Sequence, residues 1–223
     1  MSFFERLIAE TTEGRLALAA VPQIRDGLTG HISRETYVAY LTEAFHHVSH
    51  TVPLMTAARQ RLDNAHARFR TALDAYIDEE TGHESWILND IENTGGDRLA
   101  VVAGAPRPAT RRMVDYVYDY IARRNPMGFF GMVLVLEGTS VSLATQGAGA
   151  VAESLGLGPN CMSYLTSHGA LDRDHLAFFQ RLMNEVDDLD DQAAIIEVAQ
   201  AVFLLFADVF RSIPHTTDAA HVV

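Results

Sequence analysis

Four stretches of this chain carry side chains able to hold a metal ion. In Ser167-His168-Gly169-Ala170-Leu171-Asp172-Arg173-Asp174-His175, the residues His168, Asp172 and His175 stand at i, i+4 and i+7. On a helix all three share one face, where imidazole and carboxylate ligands a turn apart reach one ion or an adjacent pair. Read alone, the run serves equally well as a solvated polar face. In Asp78-Glu79-Glu80-Thr81-Gly82-His83-Glu84, Glu80 and His83 are i, i+3, the spacing that di-iron carboxylate bundles use for one metal. Glu79 is a rival for that role, and an exposed acidic turn is the simpler account. Gly82 within a helix costs about 1 kcal/mol relative to alanine, which signals crowding or a local distortion.

Glu137 is the third. It follows Met132-Val133-Leu134-Val135-Leu136, with no other carboxylate on its helix before Glu153. An ionised, unpaired carboxylate at such depth is costly, so Glu137 needs a cation, a metal or a proton. Pairing with arginine and ligation of a metal both meet that need. The fourth is Glu43-Ala44-Phe45-His46-His47-Val48-Ser49-His50, where Glu43, His50 and either His46 or His47 fall on one face. His31, His66, His215 and His221 lack such company. Cys161 has no basic neighbour and reads as a buried structural thiol.

These side chains need helices to present them. Nearly every segment has helical period and no run alternates as a strand would. One helix is expected from a Ser33 cap past His50, bent or ended by Pro53. Another runs from about Ala65 to Glu92 and stops at Asn93-Thr94-Gly95-Gly96-Asp97. Further helices are expected at Thr110–Arg124, at residues 127–155 with small residues in the second half, from Pro159 to about Asp187, and at Asp191–Ile213. The expectation is an all-α bundle of six to eight helices in one domain, residues 1–223, with a loose tail at 214–223.

Composition narrows the function. All 17 basic residues are arginine, so a Schiff-base, pyridoxal-phosphate or phosphate-loop lysine is excluded. A net charge of −12 without a basic block disfavours nucleic acid. The apolar run Phe129–Leu136 is short for a bilayer and is followed by Glu137, so no membrane role is expected. One cysteine and no signal-like N-terminus fit a cytoplasmic protein.

The order and spacing of these pieces resemble the heme-oxygenase-like di-iron oxidase superfamily, in its branch of iron-containing redox enzymes, which shares its fold with TenA and PqqC proteins. The matching text is Phe45-His46-His47-Val48 with Pro53, then Glu79-Glu80-Thr81-Gly82-His83-Glu84-Ser85-Trp86, the lone Glu137, and His168-x3-Asp172-x2-His175 about thirty residues later. The resemblance covers roughly residues 33 to 210 and implies a seven-helix domain with two ferrous ions between its central helices. It implies Glu80, His83 and His168 on one iron, Asp172 and His175 on the other, and Glu137 bridging or completing a shell. Several members place a carboxylate on the first ligand helix where this chain offers His50, with Glu43 two turns earlier. The second iron position is the one this departure affects.

Such a centre implies an oxidase or oxygenase using dioxygen on a small organic acid or amine. The other reading is a metal-independent TenA- or PqqC-like binding protein. Pocket walls are expected from Phe45, Trp86, Phe129, Phe130 and Met132, with Tyr40, Tyr116 and Tyr120 as hydrogen-bonding groups. Arg111, Arg112, Arg123 or Arg124 are either a clamp for a substrate carboxylate or surface residues. The resemblance and the long apolar helices are compatible with a homodimer.

Overall fold

A computed structural model describes residues 1–215, and of residues 168–174 the backbone alone. It contains twelve α-helices and no strand among the described residues: α1 (Phe3–Glu10), α2 (Thr12–Ala19), α3 (Pro22–Thr29), α4 (Arg34–Val48), α5 (Thr51–Arg61), α6 (Ala67–Glu80), α7 (Glu84–Asn93), α8 (Arg98–Ala103), α9 (Pro108–Arg123), α10 (Phe129–Leu155), α11 (Ser163–Met183) and α12 (Leu189–Ser212). The additional elements are short. The first was legible as Ser2-x-x-Glu5, a capping box in which Ser2 and Glu5 satisfy each other's backbone N–H groups. The tail expected to be loose lies, from residue 216 on, outside the described residues.

Two expected helices are each split. The one from Ala65 to Glu92 becomes α6 and α7, because Thr81 is extended and Gly82 takes φ +95°, a left-handed conformation that glycine adopts without strain. The one from Ser33 past His50 ends at Val48. Ser49 and His50 make the turn, and Pro53 falls in the first turn of α5, where its missing N–H costs no helix bond.

The apolar residues form a larger cluster, including Leu54, Leu73, Met113, Phe130 and Phe179, and a smaller one built on Tyr37, Leu41, Ile87 and Ile91. α10 joins them, its first half in the larger and Ala144, Ala148 and Val151 in the smaller. It packs against α11, α12 and α3. The approach to α12 is close enough that a Cβ on Gly131 would lie 2.4 Å from the Ile195 carbonyl oxygen. By length and composition Pro126–Leu155 and Leu189–Ser212 are each apolar enough to cross a bilayer, a longer stretch than Phe129–Leu136 suggested. Here both are core helices, with their apolar faces turned largely inward.

Polar anchors hold the helix ends. Buried Asp90 of α7 accepts from the backbone N–H groups of Ser163 (3.0 Å) and Tyr164 (2.8 Å), capping α11 from outside. His66 links the turn before α6 to α12, with Nε2 2.9 Å from Asp191 and Nδ1 2.7 Å from Asp63. Burial lowers the His66 pKa, but the hydrogen bonds to Asp191 and Asp63 outweigh it and leave the imidazole raised above its ordinary value. A raised folded-state pKa means stability that is fully present below the unfolded value and lost as pH climbs through the folded one. Thermal melts should therefore show the melting temperature falling as the pH rises above about 6.5, the ordinary imidazole value, and falling less in His66→Gln.

Candidate functional site

The turn between α6 and α7 brings together the first pair of donors. Glu80 is the last residue of α6 and His83 the residue before α7, so they meet across a bend rather than along one helix face. The His83 Nδ1–H donates to Glu80 Oε2 at 3.0 Å, and both residues are buried. Trp86 stacks on the His83 ring, 4.0 Å between centroids at 24°. The stack and the hydrogen bond fix the ring's plane and turn Nδ1 toward Glu80.

The second group joins α10 and α11. His175 is buried on α11, with Nδ1 3.7 Å from Glu137 Oε1 and Nε2 2.8 Å from Glu79 Oε1. The Tyr76 ring meets the imidazole edge-on at 5.8 Å. The Glu79 side chain is nearly half exposed, whereas those of Glu80 and Glu137 are about a tenth exposed. Glu80 and Glu137 line the same cavity and Glu79 does not. Of the two rivals, Glu80 is the one in the cavity wall, while Glu79 lies against His175. The side chains of His168 and Asp172, both expected as ligands, lie outside the described residues.

His50 is elsewhere. The break at Ser49 turns it toward α9, where its Nδ1 is 3.2 Å from the Tyr118 hydroxyl, and it does not line the cavity. The α4 histidine that does is His47, buried with its ring edge-on to Phe206 at 5.6 Å. Glu43 is committed to the start of α9, accepting from Thr110 Oγ1 at 2.5 Å and from the Arg107 N–H at 3.1 Å. Its carboxylate caps a helix instead of facing an ion. Burial pulls the neighbouring His46 pKa down, against the opposing effect of Glu43.

The cavity has a volume of about 190 Å³ and lies among α3, α4, α5, the end of α6, α10, α11 and α12. Phe129 and Met132 line it as expected; Phe45, Trp86 and Phe130 do not, Phe130 being sunk in the core. Tyr40 is in the wall, stacked between Tyr37 (6.3 Å) and Phe210 (5.6 Å). Burial, and then the Asp90 charge, push both phenols up, so Tyr37 and Tyr40 keep their protons. Tyr120 points away from the cavity to Glu197 at 2.9 Å. The arginines prove to be surface residues: Arg123 pairs with Asp119, Arg124 with Glu197, and Arg111 and Arg112 are exposed.

The donor set suits ferrous iron in kind, mixing carboxylates with imidazoles. Glu80 lies against the imidazole of His83 and Glu137 against that of His175. Among the described residues, however, no three His, Cys, Asp or Glu donors surround one point.

A family model described as iron-containing redox enzyme matches residues 38–207. No curated protein matches the chain in sequence. Solved structures with the same fold include a Shewanella denitrificans domain of unknown function with a heme oxygenase-like fold (23% identity, 95% of this chain and 91% of that one, TM-score 0.85). A TenA homologue from Pseudomonas syringae pv. tomato aligns at 13% identity over 93% and 90% of the two chains (TM-score 0.79). Heme oxygenase-2 from Synechocystis, solved with heme and NO, aligns at 16% over 95% and 84% (TM-score 0.76).

Proposed function

Because the chain belongs to the iron-containing redox enzyme family, we propose that it is an iron-dependent oxidase or oxygenase that uses dioxygen on a small molecule held in the apolar cavity. One observation carries this reading: Glu80 and Glu137, from separate helices, face a single largely apolar cavity, with His83 and His175 beside them. Glu80, His83, Glu137 and His175 would hold iron, joined by His168 and Asp172 if the family resemblance carries over. Bound iron supplies the redox chemistry that lets dioxygen attack an otherwise unreactive centre.

The chain's own residues do the rest. Trp86 stacks on His83 and Glu80 accepts its Nδ1–H, which holds the ring in one orientation. Glu79 Oε1 lies 2.8 Å from His175 Nε2 and supports that ring by charge. The aliphatic wall from Met132, Leu136 and Leu143 keeps water from the reacting end. The Tyr40 hydroxyl, protonated through the ordinary pH range, is a donor for a polar group of the bound molecule.

Anaerobic ferrous titration tests the reading. The expected result is about two equivalents bound per chain, followed by a transient visible absorption on exposure to oxygen. A chain that binds not even one equivalent tightly would leave a metal-independent small-molecule binder of the same fold as the better account. The lack of a three-donor group among the described residues is the observation on that side.

A further inference from the structure

Two of the described residues lining the cavity stand outside the helices, Ile32 and Ile213. Ile32 is in the short link between α3 and α4, which backbone bonds hold at both ends: His31 N–H to Asp26 O (2.8 Å) and Tyr37 N–H to Ser33 O (3.0 Å). Ile213 is held differently. It is extended after the end of α12, and the Pro214 that follows has no N–H with which to continue the turn. Residues 213–215 then run as a strap from α12 toward α3 and α4, with Ile213 buried in the cavity wall beside Gln23 and Thr36. Those two neighbours fasten it. Gln23 Nε2 donates to the carbonyls of Ile213 (3.1 Å) and Arg211 (3.4 Å), and Thr36 Oγ1 donates to the Pro214 carbonyl at 3.0 Å. At the surface His215 Nε2 lies 2.5 Å from Asp26 Oδ2.

Every one of these ties is made by a side chain. Among the described residues the strap makes no backbone hydrogen bond to α3 or α4, and the Ile213 N–H turns back to the Phe210 carbonyl. The rest of the wall is helix packed on helix, so parting it there would separate many apolar side chains at once. Lifting the strap breaks a few side-chain hydrogen bonds and exposes one isoleucine. Local opening is cheapest where apolar contacts are few and the backbone is tied only by side chains, which places the weakest part of the cavity wall at Ile213.

We propose that residues 213–215 are the gate of the cavity: small molecules enter and leave when the strap lifts and Ile213 leaves the wall, with Gln23 and Thr36 as its clasp. The gate goes beyond the oxidase reading and needs only the cavity, so it serves a chain with or without iron.

The test is thiol labelling of a wall position in the iron-free full chain. Val133 lines the cavity and is 5% exposed, so Val133→Cys carries a thiol that the small neutral reagent methyl methanethiosulfonate reaches when the wall opens. Peptide mass separates that site from Cys161, which is buried outside the cavity wall. Ile213→Val should speed labelling about fourfold and Ile213→Ala about fiftyfold, because each methylene removed makes the side chain easier to lift out. Thr36→Val keeps the shape but loses the hydroxyl, and should speed it about fivefold; Thr36→Ser, which keeps the donor, should stay within about twofold of the parent. Leu7→Ala truncates a buried side chain of α1 outside the wall, and should lower the melting temperature while leaving the labelling rate unchanged. Should Val133→Cys fold poorly, Ala144→Cys, also buried in the wall, gives the same readout. Labelling unmoved by the Ile213 and Thr36 variants, or raised as much by Leu7→Ala, would overturn the proposal. No iron enters this measurement, so failure of the gate and failure of the oxidase reading are distinguishable.

Discussion

Replacing Glu137 with alanine should abolish tight ferrous binding while leaving the helical circular-dichroism signal and melting temperature essentially intact or improved. The carboxylate sits at the end of the apolar run of α10, about a tenth exposed, 3.7 Å from His175. Removing it takes a poorly solvated charge out of the protein and puts the best helix former in its place. For folding the substitution is therefore close to neutral. For iron it removes the carboxylate that α10 contributes to the cavity near Glu80, and affinity should fall about a hundredfold or more, at least as far as losing a supporting residue would cost. His50→Ala is the matched comparison, because His50 faces Tyr118 outside the cavity and should retain the parent stoichiometry. Retained loading in Glu137→Ala, or lost loading in His50→Ala, would reverse these assignments.

Gly131→Ala should be the most damaging single-methyl addition in the molecule. Its Cβ would lie 2.4 Å from the Ile195 carbonyl oxygen and 2.6 Å from the Ala199 nitrogen. Both are backbone atoms of α12, so no rotamer change relieves the clash and the two helices must separate. The expected loss is about 3 kcal/mol, or about 10 °C in melting temperature for a chain of this size. Gly149→Ala, with open space around it, should instead raise stability by about 0.5–1 kcal/mol through helix propensity and a restricted unfolded chain. A melting temperature for Gly131→Ala within a degree or two of the parent would show that α10 and α12 are not packed this closely.

The sequence by itself determined the fold class and most helix positions, because apolar period, caps and breakers are local signals. The Ser33 cap and the stop at Asn93-Thr94-Gly95 stand where α4 begins and α7 ends. It also singled out Glu80, His83, Glu137 and His175, since a carboxylate inside an apolar run and imidazoles at helical spacing are visible without coordinates. What only the tertiary structure decided is which of the candidates face the cavity. Gly82 and the turn at Ser49 are small departures in the chain, yet each reorients everything after it: one lets Glu80 and His83 meet across a bend, the other swings His50 away and leaves His47 facing inward. Glu43 shows the same limit, since its partners Arg107 and Thr110 are more than sixty residues distant. Helical period says which residues share a face, but which face looks inward is set by packing against helices far along the chain.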